Sequence, residues 1–100
     1  MPLDTDPLSS DELDAIERRC RLASPGPWQS FVEGREHLGG DNFIRIGGLD
    51  DSEPDMYVSR AAEEGLAPAS NHDLDFIAHA RQDIARFLAE VRRLRSSKTR

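Results

Sequence analysis

Apolar residues at helical spacing mark one helix near each end of the chain. The first of these segments has apolar positions three and four residues apart, at Leu13, Ile16 and Cys20. Ser9 and Glu12 are spaced as a capping box, which predicts that this helix begins after Ser9. Pro25 predicts where it ends, because a residue that precedes proline is driven out of helical geometry.

The C-terminal segment carries a longer apolar pattern. Its positions at heptad spacing are Ile77, Ala80, Ile84, Phe87, Val91 and Leu94. Three further apolar residues widen this stripe, namely Leu74, Ala85 and Leu88. A stripe of this width predicts a long helix that packs against a sheet. Ser70 and Asp73 are spaced as its capping box, and Asn71 is a competing cap.

The middle of the chain alternates between apolar and polar positions, as strands do. Runs at 28–33, 42–46 and 56–59 are separated by glycine-rich or acidic turns, and residues 61–70 are ambiguous. Sequential strands with short connections predict an α+β fold. Its expected parts are an N-terminal helix, a three-stranded antiparallel meander and a long C-terminal helix packed on the sheet.

A chain of 100 residues has room for one domain. We expect a flexible lead-in over residues 1–8, a single α+β domain over 9–95 and a basic tail over 96–100. A domain of this size has a thin core, which favours burial of apolar surface against a partner.

The far end of the C-terminal helix predicts a homodimer. Beyond Glu90 this helix outruns a three-stranded sheet of ordinary strand length. The predicted interface residues are Val91 and Leu94, at this end of the helix, and Phe87, one turn earlier. The alternative is that the first helix covers Val91 and Leu94.

The charge argues against a nucleic-acid or anionic-membrane binder, because the formal net charge is -6. It is uneven, since residues 1–17 carry only acidic charges and residues 91–100 only basic ones. Weak nucleic-acid contact through the basic tail stays open as an alternative.

Cys20 is the only cysteine, which fits a reducing cytoplasm, and no apolar run is long enough to span a bilayer.

Two stretches resemble small phage and prophage proteins of the Ead-like type, which also occur in actinobacterial genomes. Residues 22–28, Leu-Ala-Ser-Pro-Gly-Pro-Trp, resemble the Thr-Pro-Gly-Pro-Trp turn of that family, with Ser24 in place of the usual threonine. Residues 71–88 resemble its closing helix, in which an asparagine precedes a Phe-Ile-Ala segment. The resemblance implies an origin in a phage or mobile element and supplies no catalytic residues.

Four residues could surround a ligand such as a phosphorylated purine: Trp28, Arg45, Arg60 and Asn71. An indole ring and arginine planes suit such a ligand. The competing interpretations are that Trp28 is the largest core side chain and that Asn71 is a helix cap.

The sequence offers only weak candidates for a metal-binding or catalytic group of residues. His72, Asp75 and His79 have metal-like chemistry but lack a sound third ligand, so we interpret them as surface residues. An acidic run at Asp50, Asp51, Glu53 and Asp55 is interpreted as a solvated turn, because it lacks EF-hand spacing. No nucleophile, base and electrophilic stabiliser fall together. The sequence therefore predicts no enzyme, no metal and no cofactor.

The leading hypothesis is a non-enzymatic phage-like or mobile-element accessory protein that acts in the cytoplasm as a homodimer and binds a host macromolecule, such as a host protein. The alternative is a sponge that binds a small molecule or a signalling nucleotide.

Overall fold

The computed structural model describes residues 6–47 and 53–98 and shows an α+β architecture. Its elements in chain order are α1 (Ser10–Leu22), β1 (Trp28–Phe31), β2 (Phe43–Ile46), β3 (Ser59–Ala62), β4 (Gly65–Pro68) and α2 (Asn71–Lys98). The predicted fold class and both terminal helices are confirmed.

The predicted three-stranded meander is wrong, because the four strands form two separate antiparallel pairs, β1–β2 and β3–β4. The expected third strand over 56–59 pairs with β2 only through an isolated bridge between Met56 and Ile44. Strand β3 begins at Ser59 and pairs locally with β4. Gly65 has a φ of 89°, a conformation that glycine adopts readily, and this allows the chain to turn back at once.

The chain divides into two compact units. The central unit is Ser24–Asp83, and the terminal unit comprises Met1–Ala23 and Ile84–Arg100. Helix α2 contributes to both units and continues through residues 96–98, which were expected to lie in a tail. The single domain over residues 9–95 stays a prediction.

The core of the central unit lies between one face of the β1–β2 hairpin and the first half of α2. Its buried members are Val32, Ile44, Ile46, Leu74 and Ala78. Alternation along β2 turns Ile44 and Ile46 towards this core and Phe43 and Arg45 away from it. Full burial of a side chain such as Ile44 contributes about 1.5–3 kcal/mol.

Both helices begin where their capping residues predict. The Ser9 hydroxyl accepts a hydrogen bond from the Glu12 backbone N–H at 3.0 Å. The Ser70 hydroxyl accepts one from the Asp73 N–H at 3.1 Å. Asn71 is the first residue of α2, so the cap is Ser70 and not Asn71.

Candidate functional site

Trp28 and Arg45 lie on opposite faces of the β1–β2 hairpin. Trp28 pairs with Ile46 in the register and packs against the core. Arg45 pairs with Gln29 on the outer face, where its guanidinium lies 5.1 Å from the centre of the Phe31 ring. The hairpin thus separates two of the four residues that were expected to surround a ligand.

The backbone of Trp28 is held by α2. Its N–H donates to Gln82 Oε1 at 2.8 Å, and its carbonyl accepts from Gln82 Nε2 at 3.0 Å. The indole Nε1 donates to the Ser24 carbonyl at 3.3 Å, which also accepts from Arg81 Nε at 3.0 Å. The Pro-Gly-Pro-Trp turn therefore contacts α2 directly.

Arg60 and Asn71 have separate partners. Arg60 Nη1 lies 3.9 Å from Asp73 Oδ2, an exposed pair. Asn71 Oδ1 accepts from Asn42 Nδ2 at 3.0 Å, and Asn42 Oδ1 accepts from the Glu33 N–H at 2.8 Å. Asn71 thereby fastens the segment before β2 to the start of α2. Binding of a ligand by the four residues stays a prediction.

A shallow cavity of about 220 Å³ adjoins Arg60 in the central unit. It is lined by Val58, Arg60, Ala69, Asp73, Phe76 and Ile77. The walls are mainly apolar, and the only charges among the lining residues are those of the Arg60–Asp73 pair. Because these two charges oppose each other, the cavity offers no net charge to an anionic ligand.

The most polar cluster of the central unit joins Asp75 of α2 to the segment that follows β1. Arg35 Nη1 and Nη2 donate to the two Asp75 carboxylate oxygens at 3.1 and 2.7 Å. The buried Ser30 hydroxyl donates to Asp75 Oδ1. Glu36 accepts from Arg35 Nε at 2.6 Å and from the Val32 N–H at 2.8 Å.

This cluster ties α2 to the segment after β1 by an ion pair and hydrogen bonds. The hydrogen bonds from Arg35 and Ser30 hold the pKa of Asp75 well below its usual range, so its carboxylate is a weak base. Both carboxylate oxygens of Asp75 accept hydrogen bonds from these donors. Asp75 is therefore engaged in this cluster and is not a free ligand beside His72 and His79. Within residues 6–47 and 53–98, no group of three or more His, Cys, Asp or Glu residues could hold a metal ion. Asp50 and Asp51 of the acidic run lie outside the described residues.

An aromatic cluster covers the outer face of the β1–β2 hairpin. The Phe31 and Phe43 rings stack with centres 5.1 Å apart and planes at 6°. The centre of the Phe43 ring lies 5.4 Å from that of the His37 ring and 5.8 Å from that of the Tyr57 ring. We call Phe31, His37, Phe43 and Tyr57 the aromatic face. Tyr57 is 60% exposed, so this face presents aromatic surface to solvent.

The sequence prediction missed the aromatic face. Alternation in each strand places Phe31 and Phe43 on the side away from the core, which is normally polar in a small sheet. Their neighbourhood also depends on the register that pairs Phe31 with Phe43. The signal that could have found the face was the recurrence of an aromatic residue at the outward position of two adjacent strands.

The apolar stripe of α2 is the second surface, and its members in the terminal unit are not buried. Ile84 is 46%, Phe87 71% and Leu94 47% exposed, and Val91 is half-buried. The buried residue of this stretch is Leu88, which the sequence pattern placed at the margin of the stripe. We call Ile84, Phe87, Val91 and Leu94 the helix stripe. Val91 is half-buried and Leu94 is half-exposed, so the alternative that α1 covers these two residues stays open.

Part of the basic C-terminal segment is neutralised within the terminal unit. Arg92 Nη2 lies 3.0 Å from Asp14 Oδ1 and 3.6 Å from Glu17 Oε2 of α1. Arg93 pairs with Glu90, one turn earlier in α2. These pairs reduce the positive charge available for phosphate contact, on which nucleic-acid binding depends.

Comparisons with protein-family models, with curated proteins and with solved structures gave no match. In the part of the chain that the structure describes, neither helix is long and apolar enough to cross a membrane.

Proposed function

We propose that this chain is a non-enzymatic accessory protein of a phage-like or mobile element, which acts as a homodimer and binds a host macromolecule. The observation that carries the proposal is the exposure of the helix stripe. Its four residues recur at heptad spacing, and the side chain of Phe87 is 71% exposed. Exposed apolar residues grouped in this way are typical of interaction sites.

A second copy of the same helix is the partner that fits the helix stripe. Ile84 and Val91 occupy a positions and Phe87 and Leu94 occupy d positions, the pattern by which helices pair. In a parallel pairing, Glu90 of one copy and Arg95 of the other occupy the flanking positions whose charges meet. The interface spans only about two heptads, so the dimer is weak and depends on concentration.

The absence of an assembled reactive group among residues 6–47 and 53–98 supports a binding role over catalysis. Among the described residues, Ser30 donates to a carboxylate whose pKa is lowered, an arrangement that does not activate a nucleophile. The nucleotide-binding alternative has weaker support, because it needs Trp28 and Arg45 on one side of a pocket. The two family-like stretches support the mobile-element origin.

The test is the substitution Phe87→Asp, measured by size-exclusion chromatography with light scattering at high micromolar concentration. A carboxylate in the middle of the helix stripe desolvates on association, so the variant should be monomeric while the parent forms a dimer. Ala89→Asp is the matched control, because it adds the same charge to an exposed position of the same helix. A monomeric parent, or a dimer unchanged by Phe87→Asp, would contradict the proposal.

A further inference from the structure

We propose that the aromatic face binds an arginine-bearing basic segment of a partner protein. This inference goes beyond the homodimer, because it uses a different surface in the central unit. The observation behind it is the combination of a cluster of aromatic rings, exposed at Tyr57, with exposed acidic residues in the segments that supply the rings.

The aromatic face already accommodates a guanidinium. Arg45 lies over the ring of Phe31 at 5.1 Å, within the range of a cation–π interaction. Phe31 is engaged by Arg45 and by Phe43, whereas Tyr57 at the other end of the row remains largely exposed. A second guanidinium can therefore stack at Tyr57 in the way that Arg45 stacks at Phe31.

The charge around the aromatic face selects a cation. Glu33, Asp41 and Asp55 are exposed and adjoin the segments that supply the rings. Residues 24–83 contain twelve acidic and four basic residues. This excess attracts a basic segment and repels phosphate groups. Nucleic-acid bases could stack on the same rings, but their backbone would meet the wrong charge.

Arginine suits this surface better than lysine does. Its guanidinium is planar and weakly hydrated, so it can stack on a ring while donating hydrogen bonds to a neighbouring carboxylate. Glu33, Asp41 and Asp55, which are exposed and near the ring residues in sequence, can supply such acceptors. We therefore expect binding to require the guanidinium and to weaken as the salt concentration rises.

The experiment measures fluorescence polarisation of a labelled peptide that carries four arginines separated by glycine and serine. The protein is the full-length Phe87→Asp chain, so that binding is scored independently of dimer formation, and the parent chain is measured beside it. The expected result is saturable binding that is lost when citrulline replaces the arginines. Citrulline keeps the planar shape and removes the charge, which separates a cation–π contact from simple stacking.

Three variants locate the peptide. Tyr57→Ala should weaken binding about fivefold, the loss of one exposed cation–π contact. Tyr57→Phe keeps the ring and should stay within about twofold of the parent. Leu66→Ala is the control, because Leu66 is an exposed apolar residue of β4 outside the aromatic face. Thermal melting of each variant checks that the fold is intact.

Several results would overturn the inference. They are the absence of binding at millimolar peptide, equal binding of the citrulline peptide, and unchanged affinity in a folded Tyr57→Ala variant. Tighter binding of a labelled oligothymidylate than of the arginine peptide would also overturn it in favour of nucleic acid. None of these results bears on the dimer, whose failure would appear in the mass measurement alone.

Discussion

At the scale of single residues, the Gln82 side chain forms the hydrogen bonds to Trp28 that a neighbouring strand would otherwise form. Its side-chain amide bonds both the N–H and the carbonyl of Trp28, so the first residue of β1 is satisfied by a helix. Both backbone groups are partly buried, and an unsatisfied polar group in such a place is costly. Gln82 therefore fixes where the Pro-Gly-Pro-Trp turn meets α2.

Replacement of Gln82 by alanine should lower the free energy of unfolding by about 1 to 2 kcal/mol, because it leaves two backbone groups of Trp28 without partners. Urea denaturation followed by the fluorescence of the single tryptophan measures the effect. Gln29→Ala, which removes an exposed glutamine from the same strand, is the control and should change stability little. Equal effects of the two substitutions would show that the Gln82 contacts contribute nothing.

At the scale of elements, local patterns predicted what local interactions determine. The starts of α1 and α2 followed from Ser9 and Ser70, because a capping side chain acts within three residues. Strands β1 and β2 followed from alternation. The third strand was misplaced because the segment after Asp55 has two possible partners. Met56 bonds Ile44 of β2, whereas the residues from Ser59 onwards pair with β4 in a local hairpin that turns at Gly65.

The sequence predicted the helix stripe in part and missed the aromatic face, because both surfaces depend on how the elements pack together. The helix stripe was recognised from its spacing, but the side of α2 that is buried was not. The pattern put Leu88 at the margin, whereas the structure buries it and exposes Phe87. The aromatic face needed the register of Phe31 against Phe43, which single-strand alternation does not supply.

The contact between Asp75 and Arg35 joins α2 to the segment after β1, and it should make stability depend on pH. Because the folded-state pKa of Asp75 is lowered, its contribution is present above the ordinary aspartate pKa, about 4, and is lost as the pH falls below that value. Asp75→Asn should therefore be less stable than the parent at pH 7, and the difference should shrink by pH 2.

Urea midpoints at pH 7, 4 and 2 measure this dependence. Asp83→Asn, which neutralises an exposed carboxylate on the same helix, is the matched control and should keep the pH profile of the parent. If Asp75→Asn and the parent lose stability in parallel as the pH falls, the ion pair does not couple stability to protonation.

At the scale of the whole molecule, the chain combines two kinds of surface. The central unit carries a cluster of aromatic rings, and the terminal unit carries an apolar helix stripe whose neighbouring arginines are partly paired. Neither surface contains an assembled set of reactive groups among the described residues. This combination is the basis of the proposal that the protein acts by association, with itself through one surface and with a basic partner through the other.

The central claim is that two copies meet along the helix stripe, and isotope-filtered NMR tests it most directly. A mixture of isotope-labelled and unlabelled chains at high micromolar concentration reports only contacts between copies. We predict intermolecular contacts from the Phe87 ring to the methyl groups of Ile84 and Val91, the a positions that flank it in a parallel pairing. A mixed sample with no intermolecular contacts at these three residues, and with a mass equal to that of a single 11.2 kDa chain, would contradict the claim.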